Sequence, residues 1–154
     1  MAKFKFSLDI LLKVNKLKKR QVEAEYAKAQ KELDKQLSIL SGLLDEYQEL
    51  TANMGHLAAK GTTVNDIRLY SSYFHMLQRR IKYQEQVVAQ ATKYSDDIKA
   101  RLTGLIREVN VLSEMKERQY YAYRVEMERR HQKVVDEYAG YKIYRQGGLL
   151  NGGI

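Results

Sequence analysis

The sequence predicts an all-α protein, a long antiparallel two-helix coiled coil (a helical hairpin) with an overhanging C-terminal helix. Its 154 residues include no proline, the residue that most often breaks a helix. Apolar residues recur in alternating four- and three-residue steps, which is typical of a coiled coil and differs from the two-residue period of a strand. One cluster of turn-forming residues separates two such series.

The first series predicts helix 1 over about residues 4–57. Ten of its eleven members are apolar or aromatic, and Gln36 is the exception. Backward steps reach Leu8 through Lys19, Asn15 and Leu12, so the pattern extends imperfectly towards the N-terminus. The members are Val22, Tyr26, Ala29, Leu33, Gln36, Leu40, Leu43, Tyr47, Leu50, Met54 and Leu57.

A turn over residues 58–65 precedes helix 2, which we expect over about residues 66–145. Gly61 lies in the turn, and Thr63 or Asn65 can cap the second helix because a short side-chain oxygen accepts an unpaired backbone N–H. Two helices joined by one turn pack antiparallel. The second series is Ile67, Tyr70, Phe74, Leu77, Ile81, Gln84, Val88, Ala91, Ser95, Ile98, Leu102, Leu105, Val109 and Leu112.

The two series define the predicted domain organisation. With the turn centred near residue 61, Leu8 lies opposite a residue near 115, and the second series fades after Leu112. Residues 1–145 are therefore treated as a single coiled-coil domain in which residues 115–145 overhang. The glycine-rich residues 146–154 are expected to form a disordered tail.

Composition narrows the class of protein. The chain has no cysteine, which excludes a disulfide scaffold and a thiolate zinc site. No run approaches the ~20 apolar residues that cross a bilayer, so we expect a cytoplasmic protein without direct membrane insertion.

The net charge of +8 is concentrated in residues 3–20, which hold seven basic residues and one acidic residue. A solvated helix surface and an anionic protein partner both explain this cluster. A nucleic-acid partner explains the cluster less well. A DNA-binding leucine zipper is a parallel dimer, whereas the two helices of this coiled coil belong to one chain. We therefore expect no nucleic-acid partner.

The sequence contains no catalytic constellation. His56, His75 and His131 are scattered and share no metal-ligand spacing. A two-helix coiled coil also lacks the cleft in which paired carboxylates acquire shifted pKa values. We expect no enzyme activity and no catalytic, cofactor or metal site.

The chain is rich in tyrosine, with twelve residues, and their positions suggest candidate binding surfaces. Tyr70 and Phe74 belong to the second series, whereas Tyr73 begins a neighbouring stripe with Leu77, Arg80 and Gln84. A docking patch and a locally widened core both explain this stripe. The overhang has its own aromatic set, for which a partner protein and self-association of two chains are alternatives. That set is Tyr120, Tyr121, Tyr123, Met127, Val134, Tyr138, Tyr141 and Tyr144.

Four segments, taken in order, resemble the FliJ family of flagellar type III export proteins. The start Phe4-Lys5-Phe6-Ser7-Leu8, followed by Leu11-Leu12, resembles the family's F-x-L-x-x-(L/V)-L opening. The segment Tyr70-Ser71-Ser72-Tyr73-Phe74 resembles the aromatic opening of the second helix. Leu112 with Met115-Lys116-Glu117-Arg118 resembles L-x-x-L-K-E-R, and residues 132–139 resemble E-Q-K-x-x-D-E-x-A, with His131 where the family usually has Glu.

The resemblance implies a non-enzymatic, stalk-like component that promotes assembly and activity of the hexameric flagellar export ATPase. It implies coupling of that ATPase to the cytoplasmic domain of the export gate and to export chaperones, with peripheral association at the inner-membrane export apparatus. The alternatives are the equivalent stalk of a virulence type III injectisome and a generic coiled-coil scaffold. The residues implied as export-gate contacts are Tyr70, Tyr73, Phe74 and Leu77. The residues implied as ATPase-ring contacts are Phe4, Phe6, Leu8, Leu11, Met115, Lys116, Arg118, Asp136 and Glu137.

Overall fold

The described chain consists of two long helices that pack against each other. A computed structural model describes the backbone of residues 2–151 and the side chains of residues 2–148. Helix α1 is Asp9–Lys60 (52 residues) and helix α2 is Val64–Asn151 (88 residues). No strand occurs within residues 2–151. The predicted all-α helical hairpin is confirmed.

The contacts divide into two compact units, which are described separately. The turn unit is Leu17–Ile106, and the terminal unit combines Met1–Lys16 with Arg107–Ile154. The sequence-based assignment of residues 1–145 to one domain stays a prediction.

The seam predicted from the four-three spacing matches the observed burial. Each of the eleven positions from Val22 to Leu57 is buried or half-buried. Of the fourteen positions from Ile67 to Leu112, only Ile67 is exposed, at 50%. Burial of apolar area along this stripe is the main term that holds the helices together, because helix propensity alone contributes little.

Polar residues on the seam are paired. In the turn unit, the Gln84 side-chain amide donates to the backbone carbonyl and to Oε1 of Gln36, at 2.9 and 2.8 Å. The Gln30 amide donates to Ser95 Oγ at 2.7 Å. Pairing removes most of the penalty for burying these groups and favours one register of the two helices over its neighbours.

The turn is shorter than predicted and consists of residues 61–63. Gly61 ends α1 with φ at +82°, a left-handed conformation that glycine adopts without a Cβ clash. Thr63 Oγ1 accepts the Asp66 backbone N–H at 3.3 Å and caps α2. The predicted cap at Thr63 is confirmed.

The first helix begins later than expected, because residues 2–6 are not helical. Asp9 donates its backbone N–H to the Phe6 carbonyl at 3.1 Å, and α1 starts there. In a helix, positions two apart point in very different directions, and residues 2–6 are not bound by this limit. The observed backbone therefore lets Phe4 and Phe6 both contact α2, which a helix from residue 4 would prevent.

The second helix ends later than expected. It continues through Gly147 and Gly148 to Asn151, beyond the expected end at residue 145, and the disorder expected over residues 146–154 stays a prediction. Glycine weakens a helix by ~1 kcal/mol relative to alanine but does not block the hydrogen-bond ladder as proline would. Residues 152–154 lie outside the described part of the chain.

Candidate interaction surfaces

A groove lined mainly by apolar and basic side chains lies on the turn unit, near the aromatic segment. Its α2 side carries Met76 and Tyr83, both exposed, with Arg79 and Arg80. Tyr73, Met76, Arg80 and Tyr83 follow at steps of three, four and three residues, which places them along one side of the helix. We call this surface the aromatic groove; its lining is Ile39, Leu43, Met76, Arg79, Arg80, Tyr83 and Gln84.

Two members of the stripe predicted from Tyr73 lie in the core instead of on the surface. Leu77 has 0% exposure and Gln84 is buried on the seam. The sequence left a docking patch and a locally widened core as alternatives for this stripe, and the burial of Leu77 and Gln84 agrees with the core. The physical reason is that both residues also belong to the four-three series, and burial against α1 takes precedence. Tyr73 itself is at the margin, and its hydroxyl donates to the Glu46 carboxylate.

The terminal unit has a small apolar cluster at its centre. Phe6, Leu12, Val109 and Leu112 are buried together, and Phe4 and Leu8 pack against them. Asn15 is also buried and donates to Glu108 Oε2 at 3.3 Å. Three residues that the resemblance assigned to partner binding, Phe4, Phe6 and Leu8, therefore contact their own chain.

An ion pair fixes the start of α1 in the terminal unit. Asp9 lies in the first turn, where a negative charge suits the helix dipole. Lys116 Nζ lies 2.8 Å from Asp9 Oδ1 and Lys13 Nζ lies 3.1 Å from Oδ2. Hydrogen bonds from Lys116 and then Lys13 lower the pKa of the Asp9 carboxyl below its usual value of 3.8. Lys116 is thus engaged within the chain.

Residues 2–6 cover the first aromatic side chains of the predicted overhang; we call this segment the strap. The Phe4 ring lies edge-on to Tyr120, with centroids 5.3 Å apart, and 5.6 Å from Tyr123. The Tyr123 hydroxyl donates to the Ala2 carbonyl at 2.6 Å. The non-helical strap therefore gives Tyr120 and Tyr123 contacts within the chain, although Tyr120 remains 46% exposed.

Beyond the strap, α2 stays exposed. Every side chain from residue 128 to residue 148 is exposed, and among them Val134, Tyr138 and Tyr141 are each about 62% accessible. Val134 shares a shallow groove with Tyr123, Met127 and Ala2. For this part of α2, the expectation of a helix without an internal partner agrees with the described contacts.

Neither a metal-binding cluster nor a membrane-spanning helix occurs in the described residues. No group of three or more histidine, cysteine, aspartate or glutamate side chains there is placed to hold a metal ion. None of the described helices combines the length and apolarity that crossing a membrane requires.

Comparison with known proteins identifies the family. The family model described as Flagellar FliJ protein matches residues 4–148, almost the whole chain. The chain belongs to the FliJ family. No curated protein and no solved structure gave a match. Membership of the FliJ family establishes a role related to flagellar export.

The FliJ-type residues assigned from the sequence fall into two groups. The covered residues are Tyr70, Phe74, Leu77, Phe4, Phe6, Leu8 and Lys116, which are wholly or partly buried by their own chain; the Phe74 ring lies 4.8 Å from the Tyr47 ring. The exposed residues are Leu11, Met115, Arg118, Asp136 and Glu137, with Tyr73 at the exposed margin. The exposed group provides the side chains that a partner of this FliJ-family protein can reach without opening the hairpin.

Sequence reasoning missed most of the aromatic groove. Ile39, Met76, Arg79 and Tyr83 are accessible in this FliJ-family protein and were not singled out. A signal was available, since Met76 and Tyr83 continue from Tyr73 at three- and four-residue steps but lie outside the seam series.

Proposed function

We propose that the protein is a non-enzymatic, stalk-like component of the flagellar type III export apparatus. It promotes assembly and activity of the hexameric export ATPase, and it couples that ATPase to the export gate and to export chaperones. The family match over residues 4–148 is the observation that carries this proposal. The description of that family as flagellar favours this system over the virulence injectisome.

Coupling of this kind needs surfaces that remain accessible while the helices stay packed. The aromatic groove meets this requirement for the export gate, because Met76 and Tyr83 offer apolar contact and Arg79 and Arg80 offer charge. Aromatic residues, methionine and arginine are enriched in protein interfaces. We assign the gate contact to this groove together with Tyr73, instead of to the buried Leu77.

The ATPase contact is assigned to the terminal unit. Leu11, Met115 and Arg118 are exposed beside the apolar cluster, and Asp136 and Glu137 lie on the uncovered part of α2. Exposed charges at such a surface chiefly set the rate and specificity of association. The proposed location is cytoplasmic, with peripheral association at the inner-membrane export apparatus through these partners.

The ATPase role is tested by mixing the purified full chain with the export ATPase and measuring complex formation and ATP hydrolysis. We expect a complex and stimulated hydrolysis. The paired variant Asp136→Lys/Glu137→Lys should reduce both. The matched control is Asp96→Lys/Asp97→Lys, an equally adjacent and exposed acidic pair on the turn unit. Absence of a complex with the unaltered chain would refute the ATPase role.

The gate contact has its own test. Tyr83→Ala should weaken binding to the cytoplasmic domain of the export gate, because it removes a large exposed ring from the groove. Tyr94→Ala is the control, since Tyr94 is also an exposed tyrosine of α2 but lies away from the groove. Equal binding by the two variants would contradict the assignment.

A further inference from the structure

We propose that the strap (residues 2–6) is detachable and that it regulates access to the terminal unit. In this view the strap blocks the first part of an apolar face on α2, and a partner helix must displace it to bind. The inference rests on the proposed function, because the partner is taken to be an amphipathic helix of the export ATPase.

The blocked face continues the one that packs against α1. At 100° per residue, the positions of Val109, Leu112, Tyr120, Tyr123, Met127, Val134, Tyr138 and Tyr141 fall within about 80° of one another around α2. Val109 and Leu112 pack with Leu12 and Phe6 in the buried cluster. Helix α1 begins at Asp9, so beyond that point the strap occupies the position that a packed helix would otherwise take.

The strap is held by few interactions. Before Phe6, its contacts are the Phe4 ring against Tyr120, Tyr123 and the buried cluster, and one hydrogen bond from the Tyr123 hydroxyl to the Ala2 carbonyl. No backbone–backbone hydrogen bond involves residues 2–5 in the described chain. Phe6, in contrast, is only 7% exposed. The segment is thus anchored at Phe6 and weakly held before it, which suits local opening without loss of the fold.

A helix is the occupant that this face fits. The stripe keeps the three- and four-residue spacing that both units use for helix packing, and an extended segment covers only its first two aromatic rings. The uncovered residues from 128 to 148 would match a partner helix of similar length. If the closed strap excludes that helix, the apparent affinity is proportional to the fraction of molecules in which the strap is open. A substitution that loosens the strap should therefore raise the apparent affinity.

The experiment measures affinity of the full chain for the purified export ATPase hexamer. Phe4→Ala should bind about three- to tenfold more tightly than the unaltered chain, because it removes the aromatic contacts that favour closure. Tyr123→Phe should give a smaller gain, since it removes only the hydroxyl that holds Ala2. Lys5→Ala, at an exposed strap position, is the control and should leave affinity unchanged.

A second pair of variants identifies the face. Val134→Asp should abolish the binding that Phe4→Ala enhances. Val135→Asp, displaced by about 100° around the helix, should have little effect. A spin label on Lys5→Cys, in a chain that has no other cysteine, should become more mobile when the ATPase is added, which reports displacement directly.

The outcomes separate the two proposals. Equal or weaker binding by Phe4→Ala, with binding by the unaltered chain intact, would overturn the strap and leave the ATPase role standing. No binding by any variant would overturn the ATPase role and, with it, the strap. Circular dichroism of each variant confirms that the helices have formed, so that lost binding is not lost folding.

Discussion

Replacement of Leu77 by alanine tests whether the aromatic segment is core or surface. Leu77 has 0% exposure on the turn-unit seam. Complete burial of a leucine side chain contributes about 1.5–3 kcal/mol through removal of apolar area from water. The substitution also leaves a cavity that neighbouring side chains fill only in part. We therefore expect the free energy of unfolding to fall by about 2–4 kcal/mol.

The assay is urea unfolding of the full chain, followed by far-ultraviolet circular dichroism. Met76→Ala is the matched control, because Met76 is adjacent in sequence, 43% exposed and part of the aromatic groove. It should cost less than about 1 kcal/mol, in the range of surface substitutions. A loss below about 1 kcal/mol for Leu77→Ala would refute the assignment of Leu77 to the core.

Three further substitutions test other features of the fold. Gln84→Leu removes the polar group that pairs with Gln36, and we expect the free energy of unfolding to change by less than about 1 kcal/mol. We also expect a larger dimer fraction in sedimentation, because a polar seam residue disfavours pairing with other helices. Asp9→Asn should lower the melting temperature at pH 7 and make the melting temperature fall less as the pH is lowered through the acid range. In the unaltered chain, the Asp9–Lys116 contribution is complete above the usual pKa of 3.8 and is lost as pH falls below it, through the lowered pKa of the folded state. Gly61→Ala should cost about 1–2 kcal/mol in thermal or urea unfolding, because alanine is strained at a φ of +82°. Each explanation would be contradicted by one result: unchanged stability of Gly61→Ala, an unchanged monomer fraction of Gln84→Leu, or an unchanged pH dependence of the melting temperature of Asp9→Asn.

The helical hairpin and its seam were predictable because one physical pattern determines both. Burial of a narrow apolar stripe requires alternating four- and three-residue steps, and tertiary packing preserved this register even at Gln36, Gln84 and Ser95. These polar residues interrupt the apolar pattern, yet their hydrogen-bonding partners are also near the seam. A periodic signal over many turns therefore survives isolated polar positions.

The start of the chain was harder to predict, since local pattern and tertiary contact disagree there. Leu8 and Leu12 continue the helical spacing, which suggests a helix through residue 4. The observed strap instead follows the alternation of Phe4 and Phe6, and that alternation matters only because Tyr120, Tyr123 and Leu112 lie opposite. These contacts join residues more than a hundred positions apart, which no local window of the sequence can detect.

The same limit explains why candidate binding residues were harder to assign than the fold. A stripe of apolar residues indicates that a helix face packs against something, but it does not indicate whether the occupant is the same chain. Leu77 and Val134 both lie on such faces; the first is wholly buried by the hairpin, and the second is exposed. The distinction depends on where α1 begins and ends, because its partner face on α2 is covered only over that length. Because α1 begins at Asp9, it leaves the later face of α2 uncovered, and this is the face for which we propose a partner helix in competition with the strap.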